Sequence, residues 1–252
     1  MSYLTIKTVV ALRVNLESQK IKLALEHERA EILSKFMRDA AHEFKTPLTL
    51  MSTNLYLLGK TPDQDKKQLY IQNTNEQVQA LNNLLETILI LTRLDSTDKI
   101  DYQRDSVRAS EIISDIRSSN GGHRIKLLVE NPDTLPSISI NRSDVYMAIK
   151  QIIENAMRFS PPESDVTVQI ATSGQQLMLQ ITDQGQGMGA DTLPHIFDRF
   201  YRSDESHTTR GLGLGLAIAK RVFELNDGHI EIQSEPAKGS TIKVFVPLNT
   251  TK

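Results

Sequence analysis

Apolar residues recur every seven positions along the first part of the chain: Val9, Leu16, Leu23, Ala30, Met37 and Phe44. The companion positions Leu12, Gln19, Glu26, Leu33 and Ala40 are mixed. This half of a heptad seam predicts one long helix from about residue 6 to 58 that pairs with another helix. Gly59-Lys60-Thr61-Pro62-Asp63 breaks the pattern. A second helix follows from about Lys66 to Asp95, with Ile71, Val78, Leu81, Leu85 and Ile88 as its expected buried stripe. Two antiparallel helices enclose too little core on their own. Two such hairpins make a four-helix bundle, so the pattern predicts dimerisation.

The pattern changes after the polar stretch Asp95 to Asp105, which reads as a linker. A short helix from Ala109 to Ser118 precedes strands at Ile125–Val129 and Ser137–Ile140. Asp144 to Phe159 is helical, capped by Asn141 or Ser143. Val166–Ala171 and Gln176–Asp183 alternate as strands around Ser173-Gly174, a hairpin signal. Residues 188–211 lack clear periodicity. A helix from Gly213 to Glu224 and strands at His229–Ser234 and Thr241–Val246 complete a mixed sheet with helices on one face.

Within the first helix, His42, Lys45 and Thr46 share a face, with Glu43 about 100° round the barrel. Ala41, Phe44 and Leu48 form the apolar side, so His42 points outward at the edge of a seam. Pro47 removes the donor that would meet the Glu43 carbonyl, and a bend is expected there.

Bulk composition narrows the classes. The chain has 252 residues, 39% hydrophobic and 24% charged, enough for about two domains of ordinary globular composition. Its net charge of -2 gives no bias towards nucleic acid. There is no cysteine, so thiolate and disulfide chemistry are excluded. No run approaches the roughly 20 apolar residues of a membrane span, and the N-terminus lacks the plan of a signal peptide. A soluble polypeptide is expected.

Four clusters in the second half carry candidate ligand chemistry. Glu154, Asn155 and Arg158 share one side of the helix in Gln151-Ile-Ile-Glu-Asn-Ala-Met-Arg-Phe159-Ser160. The Asn155 side-chain oxygen suits a hard cation such as Mg²⁺, which is commonly held by one or two protein oxygens plus phosphates. Arg158 can pair with phosphate. Asp183-Gln-Gly185-Gln-Gly187-Met-Gly189 sets an acid at a strand end before alternating glycines, which admits close backbone approach and acceptance of a hydrogen bond from an exocyclic amine. Ile196-Phe-Asp-Arg199-Phe-Tyr-Arg202 offers aromatic anchors and two arginines that could face phosphate. Gly211-Leu212-Gly213-Leu214-Gly215 opens a helix whose free N–H groups suit phosphate oxygens, with the leucines anchoring the turn.

His42-Glu-Phe-Lys-Thr-Pro-Leu-Thr49 resembles the phosphoacceptor box of the sensor histidine kinases of two-component signalling, position by position. The four clusters resemble, in order and spacing, the N box, first glycine box, F box and second glycine box of that family's Bergerat-type ATP domain. Gly239-Ser240-Thr241 also fits. Gln151 stands where the family often has Asn, Arg158 where Lys is common, and Ala41 where Ser is common.

The resemblance implies an α+β chain: a helical hairpin dimerising into a four-helix bundle, followed by an α/β-sandwich of the histidine-kinase ATPase type. Residues 1–32 would be a signalling helix, 33–96 the dimerisation and phosphotransfer domain, 97–104 a linker and 105–252 the catalytic domain. ATP and Mg²⁺ would be used. Asn155 would hold the metal, Asp183 would read adenine, and Gly211, Gly213 and Gly215 would wrap the phosphates. Arg158, Phe159, Gly185, Gly187, Arg199, Arg202, Leu212 and Leu214 would complete the site, and residues 188–211 would form a lid. His42 would be the nucleophile, oriented by Glu43, and an ordinary imidazole is largely neutral near pH 7. Thr46 would serve a phosphatase step. A homodimer, a separate response-regulator receiver domain and a cytoplasmic location are expected, with no nucleic-acid partner and no membrane segment in this chain. Three alternatives stay open: a catalytically silent or phosphatase-only family member, another Bergerat-fold ATPase, and a dimeric coiled-coil interaction module.

Overall fold

The structure, a computed structural model, describes residues 3–118, 124–131, 135–202 and 212–249. The chain divides into two compact units, residues 1–81 and 82–252.

Helix α1 (Tyr3–Lys60) runs on through Pro47. Thr49, Ser52 and Thr53 each return a hydroxyl to the carbonyl four residues back, at 2.9 Å. Helix α2 (Gln64–Ser96) starts after Asp63, whose Oδ1 accepts from Asp65 N at 2.9 Å and Lys66 N at 3.3 Å. The half-seam of α1 is open in the single chain, with Leu16, Leu23 and Met37 exposed. The side chains of Val9 and Leu12 lie outside those described.

The stripe expected on α2 is only partly closed within the single chain, with Leu81 and Ile88 half-buried. Ile71, Val78 and Leu85 are exposed, and the buried side chains are Leu84, Leu91 and Leu94. The sevenfold repeat Ile71-Val78-Leu85 is left largely exposed by the described residues. Periodicity marks apolar faces without saying which one is closed within the chain.

Residues 97–104 join α2 to strand β1 (Asp105–Arg108), which the sequence reading missed. This strand is short and polar, and it forms by pairing antiparallel with β3 (Ser137–Ile140). Between them lie α3 (Ala109–Ser118) and β2 (Ile125–Val129). Helix α4 (Arg142–Phe159) is capped by Asn141, whose Oδ1 accepts from Asp144 N at 3.1 Å. Strands β4 (Val166–Ser173) and β5 (Gln176–Thr182) form a hairpin, followed by a 3-10 turn at Leu193–His195, α5 (Gly215–Leu225), β6 (His229–Ser234) and β7 (Ser240–Pro247).

The main sheet has the order β2-β4-β5-β7-β6, parallel only between β2 and β4. Burial alternates along β4, β5 and β7, so one face is closed. Val168, Ile170, Leu179, Ile181, Ile242 and Val244 fill that face. Helices α4 and α5 pack on the sheet and on each other. That pairing positions the site: the side of α4 that carries Asn155 and the start of α5 are neighbours.

Candidate nucleotide site and phosphoacceptor helix

Asp183 directly follows β5 and is 9% exposed. Its Oδ1 accepts from Gly185 N at 2.8 Å and Ser240 N at 3.1 Å. Burial raises its pKa above the usual carboxylate value, opposed by those two N–H donors. A buried acid held this way presents a fixed acceptor to a ligand amine. Ser240 contributes a backbone N–H, a role no side-chain pattern reveals.

The glycines show how the clusters converge. A Cβ added at Gly185 would fall 2.5 Å from the Phe159 carbonyl oxygen, so the end of α4 lies against the loop after β5. A Cβ at Gly215 would fall 2.6 Å from Gln151 Oε1, which places that amide at the first turn of α5. Gly213 has φ +66, and a Cβ there would meet the Tyr201 carbonyl oxygen at 2.6 Å. Its own carbonyl accepts from Phe200 N at 3.0 Å. Gly187, with φ +66, backs onto the Glu235 carbonyl oxygen so closely that a Cβ would sit 1.9 Å away. The helix α4 cluster thus touches both the loop after β5 and the start of α5, and the latter touches the segment at Phe200-Tyr201.

Individual side chains fall as follows. Asn155 and Phe159 are half-buried on α4, and Arg158 is exposed. Leu214 is buried and Leu212 half-buried, as expected of anchoring leucines. Leu214 caps α5 without a side-chain hydrogen bond, which leaves the first-turn N–H groups to other acceptors. Arg202 is half-buried in the loop after the 3-10 turn, and Arg199 reaches Asp95 of α2 with Nη2 2.7 Å from Oδ2. Between them Phe200 holds φ 60, an uncommon backbone state for a bulky residue. Gly211 and the rest of 203–211 lie outside the described residues.

In the first unit, His42 and Thr46 are exposed and Glu43 is half-buried. Beside His42, Ala41, Phe44, Lys45, Leu48, Ser52 and Tyr56 line an open groove on α1.

The comparisons with known proteins agree with this arrangement. Residues 32–97 match the His Kinase A (phospho-acceptor) domain, and 140–250 match the histidine kinase-, DNA gyrase B- and HSP90-like ATPase. The chain belongs to the sensor histidine kinase family. It is 32% identical over 228 residues to the haem sensor protein HssS of Staphylococcus saprophyticus, covering 89% of this chain and 48% of that protein. It is 30% identical over 238 residues to the sensor protein KdpD of Clostridium acetobutylicum, covering 92% of this chain and 26% of that one. It is 31% identical over 229 residues to the phosphate regulon sensor protein PhoR of Pseudomonas aeruginosa, covering 85% and 50%. The chain thus spans half or less of the length of these curated relatives. In fold it is similar to the Acinetobacter baumannii histidine kinase AdeS, with TM-score 0.63 and 18% identity over 83% of this chain and 98% of that one. The ATPase match supports ATP as the nucleotide of this kinase fold. No described helix is long and apolar enough to cross a membrane.

Proposed function

We propose that this chain is the catalytic core of a sensor kinase that phosphorylates itself on His42 with ATP and passes the phosphoryl group to an aspartate of a separate receiver protein. The observation that carries the reading is that α4 meets two glycine clusters, Phe159 against Gly185 beside the buried Asp183 and Gln151 against Gly215 at the start of α5, in a chain that also exposes His42 on a helix matched to the phosphoacceptor family.

Residues 33–96 serve in this reading as the dimerisation and phosphoacceptor domain, and 105–252 as the catalytic domain. Asp183 accepts from the adenine amine. The uncapped start of α5, with Gly211, Gly213 and Gly215, receives phosphate oxygens. Arg158 and Arg202 add positive charge near them. Asn155 supplies the protein oxygen for Mg²⁺, which offsets charge on the phosphates when bound. Among the described residues no cluster of three acidic, His or Cys side chains competes for the metal. His42 Nε2 attacks the terminal phosphorus, the bond to the bridging oxygen breaks, and ADP leaves. Glu43 holds the Nδ1 proton and takes up the positive charge that develops on the ring. The phosphoramidate then yields its phosphoryl group to a carboxylate, and Thr46 orients water for the reverse function on the phospho-aspartate. The exposed stripe Ile71-Val78-Leu85 supports a homodimer. In this reading the core works in the cytoplasm as part of a sensor.

Incubation with γ-labelled ATP and Mg²⁺ tests the reading. Wild type acquires acid-labile, base-stable label, and His42→Gln acquires none. Equal label on both proteins places the nucleophile elsewhere. Bound ATP without label on either leaves a phosphatase-only or silent family member.

A further inference from the structure

Two segments meet at Asp183 and are joined along their length. One is the loop after β5, residues 183–189, and the other is the turn 235–239 between β6 and β7. Asp183 N donates to the Ser240 carbonyl at 2.9 Å, and Ala237 N to the Gln186 carbonyl at 2.6 Å. Ser240 N returns to Asp183 Oδ1 at 3.1 Å. Gly239 holds φ +80 and backs onto the Asp183 carbonyl with no room for a side chain. The turn is thus a wall against which the loop sets.

One side chain closes this seam. Ser234, the last residue of β6, is half-buried. Its Oγ accepts from Met188 N at 2.9 Å, donates to the Gly239 carbonyl at 2.9 Å and lies 2.9 Å from Ser240 Oγ. A hydroxyl has one hydrogen and two lone pairs, so three partners fill it. They stand on both segments: Met188 near the end of the loop, Gly239 and Ser240 where the turn enters β7. Both backbone donors to Asp183 meet Oδ1, which leaves Oδ2 clear of them. The aim of Oδ2 therefore follows the placement of the Gly185 and Ser240 N–H groups. Ser234 holds Ser240 directly, and it pins at Met188 the loop that carries Gly185.

We propose that Ser234 is a positioning residue of the nucleotide site. By fixing both donors to Asp183 it sets the aim of the carboxylate, and with it how strictly a base bearing an exocyclic amine is selected. The inference rests on the reading that Asp183 accepts from the adenine amine. An acceptor aimed in advance meets the amine without an ordering cost, and it is left unpaired by a base that lacks one. A carboxylate free to turn forms a weaker bond to the amine and turns to water when the amine is missing, so it discriminates less.

The test uses the full chain with Mg²⁺ and two non-hydrolysable triphosphates, one of adenosine and one of purine riboside, whose base lacks the exocyclic amine. Affinities are measured by calorimetric titration for wild type, Ser234→Ala, Ser234→Thr and Ser240→Ala. Wild type prefers the adenosine nucleotide. Ser234→Ala loses about fivefold in affinity for it, on the order of one hydrogen bond, and holds the purine nucleotide within about twofold. Ser234→Thr keeps the hydroxyl and retains the wild-type preference. An equal loss on both nucleotides makes Ser234 a residue of the fold alone and overturns the proposal. So does an unchanged preference in Ser234→Ala, or a Ser234→Thr as indiscriminate as Ser234→Ala. Should Ser234→Ala not fold, Ser240→Ala decides. It removes one of the three partners, keeps both backbone donors and narrows the preference about twofold, part of one hydrogen bond; an unchanged preference dismisses the proposal. A wild type that binds both nucleotides alike overturns the reading of Asp183 itself, and the role of Ser234 with it.

Discussion

The two units of this chain reach stability by different routes. In residues 82–252 the sheet and helices α3, α4 and α5 close a core of Ile, Val and Leu side chains, most of them under 5% exposed. In residues 1–81 only Phe36, Ala40 and Pro47 are buried among the described side chains. Leu48, Leu55, Leu69, Ile71 and Val78 stand in water on helices of 58 and 33 residues. Isolated helices owe most of their stability to packing. Among the described residues the first unit closes little core within the chain, and the second closes its own.

The largest effect expected is on the open unit. Ile71→Glu combined with Val78→Glu puts charge on the exposed stripe. Each such side chain, if buried in a dimer, contributes about 1.5–3 kcal/mol. The double variant should sediment as a monomer and lose helical signal at a temperature independent of concentration. Nucleotide binding by the second unit should survive. A variant that stays dimeric would move the interface to another face of α1 and α2.

A smaller loss is expected in the closed unit. Gly187→Ala demands an L-residue at φ +66 and a methyl 1.9 Å from the Glu235 carbonyl oxygen. Backbone strain and overpacking each cost about 1–3 kcal/mol, so denaturant unfolding should register roughly 2–4 kcal/mol. Because the closed unit is self-contained, that loss should not alter the association of the first. A cost below about 0.5 kcal/mol would mean that the loop after β5 gives way freely.

The contrast also sorts what the sequence could reveal. Strands β2, β3 and β6 and helix α3 lie within the chain where alternation and caps predict them, because one closed face imposes a readable period. The four clusters proposed to hold ligand stand out in the sequence because glycines and charged residues at strand and helix ends have few structural uses. Strand β1 was not legible, since it is made by its partner β3 rather than by its own residues. Helix α2 carries two apolar faces, one with Leu84, Leu91 and Leu94 buried within the chain and one with Ile71, Val78 and Leu85 exposed, and periodicity cannot tell an internal contact from one with another molecule. Tyr102 lies in a segment read as linker, yet burial and the adjacent Asp144 raise its pKa, a sign of an ordered strap. Nothing in the sequence could pair it with Asp144 across 42 positions.

The smallest effect has the opposite sign and tests whether the closed unit gives up stability for its site. Burial raises the pKa of Asp183, so the folded state resists its ionisation. Below the ordinary carboxylate value of about 4, both folded and unfolded chains hold the proton and the penalty is absent. As pH rises, the unfolded chain releases its proton first, and the wild type loses stability until the folded group ionises too. Asp183→Asn removes the charge and keeps an oxygen for the Gly185 and Ser240 N–H donors. The free variant should therefore be more stable than the wild type near pH 7, and the two proteins should converge below about pH 4. The same substitution should weaken adenine-nucleotide binding, because the amide presents an N–H₂ in place of one acceptor oxygen. Denaturant titrations at several pH values, beside nucleotide titrations, measure both halves. A variant less stable at neutral pH would show that the carboxylate's hydrogen bonds outweigh its desolvation, and that this acid serves the fold as much as the ligand.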